Sequence, residues 1–486
     1  MDTIKFTSES ARGRKAIING YLYSRHRAGG PNKWSQWYCV QRKNGCKGRV
    51  RISESESEYR VVSIHHHPPN YGDCKAQLAI GDIKQRAREE PNVHPLHLTQ
   101  NILTGVDSET LIALPKEKSL KRCIQRVRRE NQPPLPRTFE ELGEIPEQYS
   151  MVHGENWVLF DNREEEPDNR VLVLSRRETI RHMSRSSQLF GDGTFECVPR
   201  LLTQLYVVHY TFKDNVLLGP VALMKRKNER SYTILFQAIR QAFPDDQQNW
   251  RGRFSSDFEL AASNAFRTVF PDSTEQFCYF HFAQLLWRKA QNVGIAEPYK
   301  EEDEVELRTQ FHAILAIAYV PPDHVQEAFM DLREAADERL DGILDLLEDN
   351  YIMGRRRGRG RTAPRFPVAS WSVFQATLEN RPRTNNNSEA WNRRWKALVG
   401  KSHPNIYSML EKLKKEVEYS DAQRELAELG NPPPMKKTKY VENDQRLQRL
   451  VRSFDEIIGT VSDDPWRSRY LQFLRTVGHS ARGFLD

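Results

Sequence analysis

Four residues near the start of the chain constrain its folding more than any others. Cys39 and Cys46, with six residues between them, sit in WSQWYCVQRKNGCKGRVRI; after eighteen more residues comes His65, and then His67. Strand-like alternation surrounds them: Tyr21 and Tyr23, Val50 and Ile52, then Tyr59, Val61 and Ile64. On a strand, residues two apart face the same way. His65 and His67 can therefore reach one ion while His66 faces away, and a shift of one residue would exchange these assignments. Two thiolates and two imidazoles, from Cys39, Cys46, His65 and His67, make a closed tetrahedral Zn²⁺ shell with no open position. A region this small and polar needs such a staple to fold.

The other cysteines, Cys74, Cys123, Cys197 and Cys278, are scattered. That spread argues against a disulfide framework and for a reducing compartment. No apolar run of about 18 residues occurs, so no membrane partner is expected, and the opening MDTIKFTSESARGRK lacks a secretory apolar region. At 486 residues the chain predicts two to four domains. Its net charge of +8 is unevenly placed: residues 1–75 carry fourteen Lys/Arg against six Asp/Glu, and residues 297–350 carry four against sixteen. A basic head points to a polyanion, with nucleic acid the first candidate.

The pattern divides the chain. Residues 1–75 hold the Cys/His region, where Arg49 and Arg51 lie among aromatic rings suited to phosphate contact and ring stacking or simply to the region's small core. Residues 76–132 read as three short helices. In the last, Leu120, Ile124 and Val127 form one stripe and Lys121, Arg122 and Arg126 another, fitting either a helix-turn-helix-like DNA module or a solvated amphipathic helix. Residues 133–150 (PPLPRTFEELGEIPEQYS for 133–150) are a linker by composition. Residues 151–400 begin with alternating apolar sequence (WVLF, VLVL, then SQLFGDGTFECV), and LYVVHYTF and VLLGPVALM read as two more strands. A helix over 231–243, a strand ending at Asp257, a helix, and a strand over 277–280 follow. The order β-β-β-α-β-α-β predicts a mixed α/β sheet of the ribonuclease H type. An acidic helical insertion spans about 282–370; the run GRRRGRGR within it reads as a solvated loop that touches DNA backbone or serves as a nuclear import signal. Residues 401–486 read as a helical C-terminal region with a basic hinge at 430–439.

Three acids stand out in the α/β part. Asp192 lies in LFGDGTFEC, Asp257 ends a strand, and Glu389 opens a helix in TNNNSEAWNRRWK, where Asn387 or Ser388 is the expected cap. A lone Asp in a buried strand is costly unless an Arg or a metal compensates it. Phosphodiester chemistry uses two divalent ions about 4 Å apart. Mg²⁺ or Mn²⁺ prefers carboxylate oxygens. Asp192 would bridge the ions, with Asp257 and Glu389 each holding one. Arg393 and Arg394 follow Glu389 as candidate DNA contacts.

Two resemblances bring these pieces together. Phe6, Gly20-Tyr21-Leu22-Tyr23, Trp37-Tyr38-Cys39, Cys46 and His65-His66-His67-Pro68 resemble a FLYWCH-type zinc finger. Residues 187–399 look like a Mutator-like element (MULE) transposase domain. That likeness rests on Asp192-Gly193-Thr194-Phe195, Asp257-Phe258-Glu259, Asn264-Ala265, Phe270-Pro271, Cys278-Tyr279-Phe280-His281 and Thr384-Asn385-Asn386 with Glu389. The resemblance implies a DDE-type DNA transposase that binds terminal repeats, cleaves strands and transfers them to target DNA, in the nucleus, as a homo-oligomer on DNA. Its catalytic acids would be Asp192, Asp257 and Glu389, and its zinc ligands Cys39, Cys46, His65 and His67. Cys278 and His281 belong to the family pattern: Cys278 is expected as a buried strand residue, and His281 near the metal pocket or on DNA. Members of this group often end in a second Cys/His module, but no cysteine follows Cys278 here. The alternative is a domesticated, non-catalytic DNA-binding transcriptional regulator; a third reading makes the finger a protein-interaction module.

Overall fold

The computed structural model describes residues 4–7, 13–27, 34–90, 93–130, 132–433, 435, 437–459 and 469–481. Parts of the 430–439 hinge (Pro434 and Lys436), and residues 460–468 and 482–486 of the C-terminal region, lie outside the described residues. The chain forms two units, Met1–Leu135 and Pro136–Asp486.

In the first unit, six antiparallel strands pair in sequence order: β1 (Lys5–Phe6), β2 (Lys15–Ile18), β3 (Tyr21–Arg27), β4 (Trp34–Cys39), β5 (Arg49–Ser53) and β6 (Tyr59–Ser63). Alternation along β4 and β5 buries Trp37, Cys39, Val50 and Ile52 and leaves Arg49 and Arg51 exposed. The sheet's core is small: Ala16, Ile18, Tyr23, Trp37, Val50 and Ile52. Four helices follow, one more than the sequence pattern predicts: α1 (Tyr71–Glu89), α2 (Pro95–Leu103), α3 (Ser108–Ala113) and α4 (Glu117–Glu130). Helix α1 begins before residue 76, capped by Asn70, whose side chain accepts from the Asp73 amide at 2.9 Å. Its Gly81 lies so close to Thr7 that a Cβ would sit 2.1 Å from that carbonyl oxygen. Residues 1–75 and 76–132 are therefore parts of one compact unit.

The second unit is built on a seven-stranded sheet: β7 (Val158–Asp161), β8 (Val171–Leu174), β9 (Gln188–Thr194), β10 (Gln204–Phe212), β11 (Asn215–Met224), β12 (Arg253–Ser256) and β13 (Thr274–Phe277). Their order is β13-β12-β9-β10-β11-β8-β7, with β9, β12 and β13 mutually parallel and the other pairs antiparallel. Both faces are covered, which is why VLVL and LYVV are unbroken apolar runs rather than alternating ones. Leu172, Leu174, Leu205, Val207 and Leu223 face one core with Trp391, Trp395 and Leu410. Val171, Val173, Tyr206, Val208 and Met224 face the other, with α5 (Arg177–Ser184), α6 (Glu229–Ala242) and α7 (Leu260–Val269).

Strand β13 ends at Phe277 and α8 (Tyr279–Asn292) starts at once, so the strand expected over 277–280 is displaced toward the N-terminus. Helices Val305–Ala316, Val325–Ala335 and Asp341–Leu347 then form a bundle around Phe311, Phe329 and Leu344. The GRRRGRGR run is a short hairpin, Arg356–Arg357 with Gly360–Arg361, rather than an open loop. Arg361 ties it down by pairing with Glu348 and donating to the Gly354 carbonyl at 2.8 Å. Helix α9 (Asn386–Val399) returns to the sheet, and α10 (Ile406–Glu428) covers the same face. The last helices, Thr438–Arg452 and Arg469–Ala481, add Leu447, Phe473 and Val477 to the bundle instead. No helix among the described residues is long and apolar enough to cross a membrane.

Candidate functional site

In the first unit the four expected ligands converge. Cys39 Sγ lies 3.3 Å from His67 Nε2, Cys46 Sγ 3.4 Å from His65 Nδ1, and the two imidazole nitrogens are 3.3 Å apart. All four ligand atoms lie within 4.8 Å of one another. Zn–S bonds of about 2.3 Å and Zn–N bonds of about 2.0 Å at tetrahedral angles need such spacings, so the set fits zinc. The route differs from the one expected. Strand β6 ends at Ser63, and both histidines reach the site from the irregular segment beyond it. His66 is exposed and outside the set. Surrounding groups fix the ligands: His67 Nδ1 donates to the Pro68 carbonyl at 2.9 Å, freeing Nε2, and Tyr23 Oη pairs with His65 Nε2 at 2.7 Å. Tyr21 stacks on His65 at 3.7 Å. Burial, with the neighbouring His67 and His66, pushes His65 down to about 4 and keeps it neutral, the form that ligates. Gly48 is required here: a Cβ would come within 2.5 Å of the His65 ring.

Of the candidate DNA contacts in this unit, Arg49 and Arg51 are exposed, and Arg49 lies 5.6 Å from the centre of the Tyr38 ring. Lys121 pairs with Glu117 at 2.5 Å and Arg126 with Glu130 at 3.9 Å, while Arg122 is exposed. Nearby Arg128 instead holds the end of α1, donating to the Glu90 and Val93 carbonyls at 2.7 Å each.

In the second unit the parallel register sets Phe190 beside Ser255, so Asp192 and Asp257, each two residues further on, lie at the same end of adjacent strands. Asp192 is buried, and its Oδ2 accepts from Asn392 Nδ2 at 2.7 Å; the partner is an amide, not an arginine. Glycines flank it, and a Cβ at Gly191 would meet Tyr206 Oη at 2.3 Å and the Phe254 ring at 2.6 Å. Asp257 Oδ1 lies 2.8 Å from His281 Nδ1, and His281 Nε2 lies 3.7 Å from Glu389 Oε1. The first pair is close but not aligned as a hydrogen bond; Asp257 Oδ1 and Glu389 Oε1 are buried without a hydrogen-bond partner.

Glu389 arrives from 132 residues beyond Asp257 because the start of α9 is pinned to the sheet. The Asn385 amide nitrogen donates to Cys278 Sγ at 3.1 Å, its side chain donates to the Gly191 carbonyl at 3.1 Å, and Ser388 Oγ hydrogen-bonds with His209 Nδ1 at 3.0 Å. The cap expected at Asn387 or Ser388 is not used: the helix starts from Asn385, with no side-chain cap bond. Asn385, Ser388, Glu389 and Asn392 follow the spacing of a single helix face. That periodicity in TNNNSEAWN was the available signal for Asn392, which the sequence reading does not single out, and for a role of Asn385 beyond its place in the MULE pattern. Cys278, expected in a strand, is buried at the junction preceding α8. Arg393 is exposed, whereas Arg394 is engaged with Glu416 and lies 4.6 Å from the centre of the Tyr419 ring.

The electrostatics describe a pocket short of positive charge. Burial, then the Asp257 charge, pushes Asp192 up to about 7. Burial also raises Glu389. Burial works against a charged His281, but contact with Asp257, and then with Cys278, outweighs it and raises the ring to about 11. Carboxylates that resist ionising together are where a divalent cation is most stabilising. The oxygen donors of Asp192, Asp257 and Glu389 suit Mg²⁺ or Mn²⁺. The ligand atoms within 4.8 Å of one another are those of Cys278, His281 and Glu389, a softer set that lies beside the carboxylates.

Glu259, two residues beyond Asp257 and read in the sequence only as part of the MULE pattern, is a further neighbour of Asp257. It accepts from Tyr232 Oη at 2.9 Å and pairs with Lys227 at 3.3 Å.

Compared with known families, residues 6–67 match the FLYWCH zinc finger domain, which spans all four zinc ligands. Residues 189–285 match the MULE transposase domain, a stretch that includes Asp192, Asp257, Cys278 and His281 but ends before Glu389. No curated protein matches the chain. The chain thus carries an N-terminal match to the FLYWCH zinc finger domain and a later match to the MULE transposase domain, a combination that supports a transposase-like DNA-binding protein.

Proposed function

We infer that this chain is a DNA transposase of the Mutator-like type, which binds DNA through its zinc finger and cleaves and transfers strands at the pocket of Asp192, Asp257 and Glu389. The observation that carries this is the convergence of Asp257 Oδ1 and Glu389 Oε1, both buried without a hydrogen bond and facing the same His281 ring, beside buried Asp192 in a chain with a MULE domain match. Acids at the ends of adjacent parallel strands, in a seven-stranded sheet whose four remaining strands join by antiparallel pairing, support a ribonuclease H-like core. Asp192, Asp257 and Glu389 would hold two Mg²⁺ or Mn²⁺ ions, which supply activation of the attacking oxygen and stabilisation of the leaving one.

The chain's own residues prepare that chemistry. Asn392 fixes the orientation of the Asp192 carboxylate. His281 spaces Asp257 from Glu389, and Asn385 holds the Glu389 helix against β9. Exposed Arg49, Arg51, Arg122 and Arg393 supply phosphate contacts. The substrate, double-stranded DNA with two element ends, places the protein in the nucleus and calls for at least two copies on DNA.

The test is nicking of supercoiled plasmid by the zinc-loaded full chain. With Mn²⁺ or Mg²⁺ the wild type is expected to nick, and Asp192→Asn to bind DNA equally well but nick no faster than background. A wild type that binds DNA yet leaves it intact with either ion overturns the reading in favour of a non-catalytic DNA-binding regulator.

A further inference from the structure

The three parallel strands carry the acids at one end and a different constellation at the other. Gln188, Arg253 and Thr274 open β9, β12 and β13 in register. Arg253 precedes Asp257 by four residues, roughly 13 Å along the strand at about 3.3 Å per residue. At this far end lies a cleft of about 380 Å³. Four arginines line it, Arg185, Arg251, Arg253 and Arg381, and no carboxylate does. Its floor is rigid. Trp250 is buried, with its indole nitrogen donating to the Ser186 carbonyl at 2.8 Å, and a Cβ on Gly252 would strike the Trp250 ring at 2.1 Å.

The nearby counter-charges do not balance the arginines. Arg381 pairs with Glu379, and Arg251 lies 3.8 Å from Asp272. Arg253 has a neutral partner, the Gln276 side-chain oxygen at 2.6 Å. The Nε atoms of Arg253 and Arg381 are both buried with no acceptor. Burial, and then the charge of Arg381, pushes Arg253 down to about 10. Two mutually repelling guanidinium groups, each with an unused buried donor, cost stability unless an anion meets both. Paired guanidinium forks match the oxygens of a phosphate.

We propose that the cleft between Arg253 and Arg381 binds a phosphate group, carried either by a DNA backbone or by a free polyphosphate, at a site separate from the acid pocket. The strand length between the two places excludes the bound phosphate from the reacting position. The site therefore stands whether or not the acid pocket cleaves DNA.

The test uses the zinc-loaded full chain without added divalent cation. Calorimetric titration with pyrophosphate and anisotropy titration with a short DNA duplex at several salt concentrations are compared for wild type and an Arg253→Gln/Arg381→Gln double variant. Removal of two charged donors is expected to weaken binding roughly tenfold or more. Loss of duplex affinity, with a salt dependence shallower by about one per phosphate contact, assigns the site to the DNA backbone. Loss of pyrophosphate binding with duplex affinity unchanged assigns it to free phosphate. Both affinities and the salt slope unchanged overturns the proposal. The variant relieves a repulsion but also loses the Arg381–Glu379 pair and the Arg253 bond to Gln276, so its melting temperature is compared with wild type. If it does melt lower, the exposed Arg251→Gln variant must show the same loss in smaller measure, and no loss there also overturns the proposal.

Discussion

At the scale of single residues, the site depends on neighbours that no charge count reveals. Asn392 carries no charge, yet it is the side chain that reaches Asp192 across 200 residues of sequence. Its loss should leave the fold intact, since the side chain is partly exposed, but release one oxygen of a carboxylate already raised to about 7 by burial. Outer partners of metal-holding carboxylates contribute about 10- to 100-fold in affinity. Asn392→Ala is therefore expected to weaken Mn²⁺ binding by at least tenfold, read by the free Mn²⁺ signal in electron paramagnetic resonance, with an unchanged melting temperature. Equal Mn²⁺ binding in the two proteins would remove Asn392 from the site. Asp192 drew notice in the sequence because a carboxylate in apolar surroundings demands a reason, and the MULE resemblance joined Asp257 and Glu389 to it. Asn392 was not, because an exposed-looking amide on a helix demands none.

At the scale of elements, helix α9 is the part that must be delivered correctly, and its attachment is unusual in resting on a neutral histidine. His209 lies in β10, 3 % exposed, and hydrogen-bonds with Ser388 at 3.0 Å. Burial, and secondarily the Arg394 charge, pushes it down to about 3. The sign follows from linkage: the unfolded ring, near 6.5, takes a proton that the folded one refuses. The stabilisation is full above pH 6.5 and is lost as pH falls through the window from 6.5 toward 3, by roughly 3 kcal/mol at pH 4. Urea denaturation of the full chain between pH 7 and 4 should show this loss, and His209→Gln should flatten it in the upper part of the window, above the range where carboxylates titrate. An identical pH slope in both proteins would mean that His209 does not anchor α9. Helix α5, between β8 and β9, was not legible in the sequence, whereas the strands of the sheet were readable from their apolar residues. The junction at Cys278 was not. Phe277, Tyr279 and Phe280 are all suited to a strand, and only tertiary packing of α8 on Tyr319 and Trp371 decides for a helix.

At the scale of the whole molecule, the two units obtain their stability differently. The second has three extensive cores of its own around the sheet and the bundle. The finger sheet has six core residues, and its helices have a separate cluster around Ile83, Leu98 and Ile124. The separation into a finger and a helical module looked natural in sequence, because alternation gives way to helical spacing near residue 76. The structure joins them through close contacts that composition does not encode: Gly81 against Thr7, and Lys15 Nζ on Gln77 at 2.8 Å. A sheet this thinly packed holds its strands through the metal, so zinc binding is folding free energy for it. Chelation should then abolish the tertiary signal of the finger, in which Trp37 is 2 % exposed, and leave the unfolding transition of the second unit in place. Cys46→Ser should reproduce the chelated state at saturating zinc, because three remaining ligands cannot close the shell. Near-ultraviolet circular dichroism alongside calorimetry reads both arms. A finger signal that survives chelation and Cys46→Ser alike would mean that the six-residue core and its contacts to α1 hold the sheet without metal. The four Cys and His atoms would then be a consequence of the fold rather than its cause.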